Sequence, residues 1–158
     1  MFRTLAIAAA TATLAAPAFA DGHAVDLTAS GDVAEGEKAF RQCISCHVVV
    51  DAAGETLAGR NAKTGPNLYG IIGGKFGQVE DFRYSDINQL AAESDTVINE
   101  EVFVTYVQDP TGYLRDLTGD NGRSKMTYKV RKEEDAVNLY AYLASIATNP
   151  EAAADEGS

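Results

Sequence analysis

The chain has 158 residues, with 13 Lys and Arg against 23 Asp and Glu and a formal net charge of −10. A balance this acidic argues against general binding to nucleic acid, which needs a basic surface. Two cysteines and two histidines are also thin material for a structural zinc site, which takes four such ligands.

The first twenty residues, MFRTLAIAAATATLAAPAFA, place Arg3 ahead of an Ala/Leu-rich run and end on Ala18-Phe19-Ala20. This is the pattern of an export leader with an A-x-A cleavage site, and the run is short for a membrane anchor. Cleavage after Ala20 would leave residues 21–158 and, without Arg3, a net charge of −11. That length suits one domain, expected over residues 21–147, in an exported compartment. No later segment is apolar enough to cross a bilayer. The polar stretch that opens the mature chain contains His23, and it reads as a solvated terminus.

Asp32-Val33-Ala34-Glu35 has the form of a capping box and predicts a helix with Phe40 on its apolar face. That helix would run into RQCISCHVVV, residues 41–50, which holds both cysteines, Cys43 and Cys46, and His47. Three chemistries compete for this cluster. A thioredoxin-like redox pair belongs in a βαβ setting, and no strand-rich run precedes Cys43. Zinc would lack ligands, and the adjacency of Cys46 and His47 makes one site hard to close. The third reading, C-x-x-C-H, is the attachment signature of c-type haem. Each thiol adds to one vinyl group of the porphyrin, one helical turn spans the two vinyls, and the histidine ligates the iron. With an export leader ahead of it, this reading is the favoured one.

Gly-rich loops follow, among them KTGPNLYGIIGGKFGQ at residues 63–78. Ser85 or Asp86 opens a short helix through Ala92, and Asn99 caps another whose first turn carries Glu100 and Glu101. Phe103, Tyr106 and Val107 recur at helical spacing until Asp109-Pro110 ends that helix. Pro110 can start one more turn, leading to Tyr113 and Leu114. RSKMTYKVRK, residues 123–132, then holds five basic side chains and no acidic one. The last helix spans about Lys132 to Ala147, with Ala136, Leu139, Leu143 and Ile146 as its stripe and Tyr142 beside it. Residues 148–158 are polar and acidic and read as a flexible tail. No β alternation is sustained, so the fold is expected to be all-α, with the porphyrin as much of its core.

What occupies the second axial position of a haem iron separates electron transfer from chemistry on a small molecule. Beyond the leader the chain has one methionine, Met126, and one other histidine, His23. Methionine usually fills gaps in an apolar core, but Met126 lies in a polar, basic loop. It is therefore assigned as the sixth ligand. Such His/Met ligation raises the reduction potential.

Taken together, GDVAEGEKAF, the C-x-x-C-H cluster, KTGPNLYG, the loop methionine and DAVNLYAYL resemble class I c-type cytochromes, most closely the large subgroup of bacterial cytochromes c2. The resemblance covers about residues 31–146. It implies the class I cytochrome c fold, short helices packed around one covalently bound haem c. It also implies that the Pro66 carbonyl accepts the ring N–H of His47, which fixes ring orientation and raises ligand basicity. Tyr84 and Asn88 match residues that bond a haem propionate and an internal water network. Tyr106 matches a tyrosine whose hydroxyl faces the methionine sulfur. Gly36 and Phe40 match the crossing of first and last helices, with Leu139 and Tyr142 opposite. Taken alone, each tyrosine would read as ordinary core packing with a hydroxyl at the rim.

The chain departs from the family pattern at the inner propionate. Gly73-Gly74 stands where the family commonly has Gly-Arg, and the chain has no Trp, with Ile98 in the place of the usual one. Lys75 or Arg83 is the expected replacement cation. Extra residues at about 51–61 and 115–123 match the large subgroup and read as surface loops.

The resemblance implies a soluble periplasmic monomer, not an enzyme, that carries single electrons. It would shuttle between a quinol-oxidising cytochrome bc complex and a photosynthetic reaction centre or terminal oxidase. The basic run around Met126 would orient an exposed haem edge toward acidic docking sites in weak, salt-sensitive encounters. The alternatives are a haem enzyme or gas sensor with a displaceable sixth ligand, and a haem module working only within a larger complex.

Overall fold

The computed structural model describes residues 25–147. The leader at 1–20, His23 and the tail at 148–158 lie outside the described residues. In chain order the elements are α1 (Val33–Phe40), β1 (Val49–Val50), β2 (Thr56–Ala58), α2 (Asp86–Ala92), α3 (Glu100–Gln108), α4 (Pro110–Thr118) and α5 (Glu133–Ala147).

The polar residues flanking each helix account for most of the boundaries. Asp32 caps α1 by accepting from the Glu35 N–H at 2.8 Å. The reciprocal half of the expected capping box is replaced: the Asp32 N–H donates to Asn138 Oδ1 on α5 at 2.8 Å, while Glu35 pairs with Lys38. Asn99 caps α3 through the Val102 N–H, and Asp109 caps α4 through the Gly112 N–H with Pro110 in the first turn. Helix α4 is longer than the single turn expected of it. It takes in Arg115–Thr118 and stops at Gly119, whose φ of 72° closes the helix in the left-handed region.

Helix α1 crosses α5 at closest backbone approach. A Cβ on Gly36 would sit 2.0 Å from the Asn138 carbonyl oxygen, and one on Gly31 2.5 Å from that of Val137. Phe40 meets Tyr142 with ring centroids 5.4 Å apart. The neighbours of Gly36 are thus Asn138 and Tyr142, while Leu139 is buried toward the centre of the molecule. Helix α5 also packs on α3, so it buries more than one stripe: Tyr140 is fully buried, its hydroxyl donating to the Leu27 carbonyl, whereas Ile146 stays half-buried. Helices α3 and α4 pack on each other, and α4 on α2.

The extra residues at 51–61 are not wholly irregular. Strands β1 and β2 pair antiparallel with a register irregularity between Val49 and Val50. Val49 is fully buried on the core side, and Leu57 is exposed. The fold is helical with this one small sheet among the described residues.

Candidate haem site

The chain keeps turning after α1. The Cys43 N–H donates to Phe40 O at 2.8 Å, and the Cys46 and His47 N–H groups both donate to Cys43 O. That continuation sets Cys43 and Cys46 one turn apart, and both thiols line one cleft together with His47. Cys43 is pushed up to about 11, first by burial and then by the neighbouring Cys46, so it is a neutral thiol at ordinary pH.

His47 Nδ1 lies 2.9 Å from the Pro66 carbonyl oxygen. A carbonyl can only accept, so Nδ1 carries the proton and Nε2 keeps its lone pair. Burial lowers the ring pKa, with the Pro66 bond opposing it, and the imidazole is held neutral. The ring is backed by chain: a Cβ on Gly65 would lie 2.4 Å from His47 Cε1. Asn67 holds this backing in place. Its side chain accepts from the Val50 N–H at 2.9 Å and donates to Val50 O at 2.7 Å, while the Gly65 N–H donates to Cys46 O. Sequence reasoning missed both Gly65 and Asn67. The Gly-Pro-Asn tripeptide was their signal, since Asn after a Pro turn so often bonds backbone.

Met126 sits in residues 119–132, which carry no helix or strand, and it is packed against the core. Its N–H donates to Ser124 Oγ at 3.1 Å, and the Ser124 N–H donates to Thr111 Oγ1 on α4. Burial raises the pKa of the Tyr106 hydroxyl, opposed by hydrogen bonds from Ser124 and Asn88 side chains. Tyr106 thus reaches the methionine's own segment through Ser124, a buried residue that the sequence reading passed over. Asn88 is buried and accepts from Ser85 Oγ at 2.7 Å. Ser85 accordingly stands at the N-cap of α2 without capping it by its side chain. The Tyr84 hydroxyl accepts from the Val79 N–H at 3.4 Å, and burial raises its pKa.

All eight residues singled out from the sequence (Cys43, Cys46, His47, Pro66, Tyr84, Asn88, Tyr106 and Met126) line the same cleft, of about 320 Å³. Its walls are otherwise mostly apolar, and include Phe40, Phe76, Phe103, Val107, Leu139 and Leu143 from the buried core. Lys75 lines the cleft with Nζ 2.8 Å from Asp95 Oδ1 at the surface, and Arg83 does not line it. Ile98 faces Gly73-Gly74 directly, the two segments exchanging backbone hydrogen bonds of 2.8 and 2.9 Å. At Gly74 the space an arginine would need is taken by Gln78, whose Nε2 lies 2.3 Å from where a Cβ would start. Gln78 in turn donates to Gly70 O and accepts from the Lys75 N–H.

This set suits a haem. The apolar walls match the macrocycle, and the paired thiols match its two vinyls. A neutral imidazole with Nε2 available and a thioether match the two axial positions, and Gly65 leaves the room that His47 needs. The zinc reading fares worse: among the described residues no cluster of three His, Cys, Asp or Glu side chains is placed to hold a metal ion.

No protein-family model matches the chain. It is 63% identical over 123 residues to cytochrome c2 of Rhodovulum adriaticum, covering 77% of this chain and 98% of the relative. It is 47% identical over 151 residues to cytochrome c2 of Cereibacter sphaeroides, covering 94% of this chain and 99% of that one. Among solved structures, cytochrome c2 from Rhodobacter sphaeroides superposes with a TM-score of 0.74 at 50% identity, covering 77% of this chain and all of that one. Ferric cytochrome c-550 from Paracoccus versutus gives 0.68 at 39% identity, covering 75% and 99%.

Proposed function

The chain belongs to the cytochrome c2 family, and from that premise we propose that it is a periplasmic monohaem carrier with His47 and Met126 as its two iron ligands. The class of function, haem-based electron transport, comes with the family. The observation that carries the finer reading is the convergence of two thiols, a neutral imidazole and a lone thioether on one apolar cleft.

Bound there, a haem supplies an iron that takes up and returns one electron. The chain's own residues do the rest. Cys43 and Cys46 would hold the group through thioether bonds. His47 presents Nε2 because Pro66 occupies Nδ1, so the ring cannot turn without losing a hydrogen bond. Ser124 fixes the backbone of Met126 through its N–H, and Tyr106 buttresses Ser124. Lys75, which lines the cleft, would have to leave its partner Asp95 to meet a haem carboxylate in place of the family's arginine. Apolar walls exclude water, and little need move when charge changes. Partners would be a quinol-oxidising cytochrome bc complex on one side and a photosynthetic reaction centre or terminal oxidase on the other. Their acidic docking sites would meet the run at 123–132, in which Arg123, Arg131 and Lys132 are exposed. The leader at 1–20 would deliver the chain to the periplasm and be removed.

A haem enzyme or gas sensor would open its sixth position to a small molecule. The test is an absorbance spectrum of the oxidised protein with and without cyanide. The expected result is a weak far-red band from iron–thioether ligation and slow cyanide binding. Immediate cyanide binding with no such band would favour the enzyme or sensor.

A further inference from the structure

Residues 119–132 carry Met126 without any helix or strand, so what holds them across the cleft matters. Most of their tethers run to one wall. The Ser124 N–H donates to Thr111 Oγ1, the Val130 N–H donates to Val107 O at 2.9 Å, and Lys129 pairs with Asp109 at 2.7 Å. Arg115 of α4 ties the start of the segment through the carbonyls of Asn121 and Gly122. All of these partners lie on α3, on α4 or at the junction between them. A second kind of tether goes elsewhere: Lys125 Nζ donates to the Arg83 carbonyl and stands 5.9 Å over the Phe82 ring.

Among the described residues, one hydrogen bond runs from this segment to the chain that bears the thiols and the imidazole. The Tyr128 hydroxyl, two residues beyond Met126, donates to Gln42 Oε1, one residue before Cys43. The two residues are 86 positions apart, both line the cleft, and both are exposed, so the bond sits at its mouth. Releasing it would leave the segment hydrogen-bonded to the α3–α4 wall and to the Arg83 loop, but only packed, through buried Val130, toward the chain around Cys43.

We infer that Tyr128 and Gln42 form a latch that keeps the Met126 segment closed against the Cys43–His47 wall and sets how often its sulfur can leave. Tyr128 and Gln42 are positioning residues that act through Met126 and touch no reacting atom. The inference rests on the ligation reading above.

The test uses the oxidised holoprotein and imidazole, which can ligate ferric iron only after the thioether has left. In the wild type the observed rate should saturate with imidazole, because segment opening becomes limiting, and the far-red band should disappear at that rate. Tyr128→Phe and Gln42→Ala should each raise the limiting rate roughly three- to tenfold, the range expected for loss of one exposed hydrogen bond. The double variant should be no faster than either single one, since both remove the same bond. Gln42→Glu keeps an acceptor oxygen and should stay near the wild-type rate. A normal wild type with unmoved single variants, or effects that multiply in the double variant, overturns the latch alone. A wild type lacking the far-red band, with rates rising linearly in imidazole, overturns the ligation reading and the latch with it.

Discussion

At position 65 the backbone itself is part of the site. The His47 ring lies so close that any side chain there would begin 2.4 Å from Cε1 and 2.7 Å from Nδ1. Gly65→Ala must therefore push the imidazole, and with it the Nδ1 bond to Pro66. Overpacking of this kind costs about 1–3 kcal/mol. The variant should show a lower denaturant midpoint and a shifted reduction potential, both measurable on the purified holoprotein. An unchanged potential would mean that the ring tolerates displacement. The side chains of this cluster were legible in the sequence because C-x-x-C-H has a chemical reason for its spacing. The glycine behind it was not, because close approach is a property of two segments and neither alone announces it. The same holds for Ser124, which acts through its neighbour's N–H and through Tyr106.

Among elements, the α1–α5 crossing sets the distance between the thiol-bearing turn and the last helix. Gly36 and Gly31 on and before α1 meet carbonyls of α5, so neither face can retreat by rotating a side chain. Gly36→Ala should lower stability by about 1–3 kcal/mol or more, since rigid backbone stands opposite. Urea denaturation of the holoprotein checks this, and a loss below the range of measurement would contradict the packing described. Helix starts were readable here because Asp32, Asn99 and Asp109 each cap through the side chain. The length of α4 was not, since in Arg115–Thr118 only Leu117 continues the apolar face of Tyr113 and Leu114. That stretch stays helical by ending on Gly119 and by Arg115 bonding back to Asn121 and Gly122. The β1–β2 hairpin escaped for a related reason: two residues against three are too few to show alternation.

Across the whole molecule, charge is distributed unevenly. An acidic chain carries its basic run beside the cleft that Met126 lines. If docking uses this face, Lys125→Glu or Lys129→Glu should lower the bimolecular rate with a membrane redox partner. The effect should fade as salt approaches ~0.1 M, where the Debye length is about 10 Å. Equal rates at low ionic strength would rule this face out. The charge of Lys129 is already offset by Asp109, whereas Lys125 meets only a neutral carbonyl and a ring, so Lys125 should give the larger change. At this scale the sequence was most informative, because composition and a single motif constrain the class of chemistry. It was least informative about the loop at Gly73-Gly74, where Gln78 takes the space in which an arginine side chain at position 74 would begin. That exchange involves residues four positions apart and a loop fold that neither spells out.

The proposed ligation by His47 and Met126 would bring the Met126 methyl against the face of a porphyrin. Proton NMR of the reduced, diamagnetic protein reads this directly, because ring current shifts such a methyl strongly. The account predicts a three-proton signal far upfield of the ordinary methyl region, present in the wild type and gone in Met126→Ala. A spectrum without that signal, or one in which it survives the substitution, would contradict it.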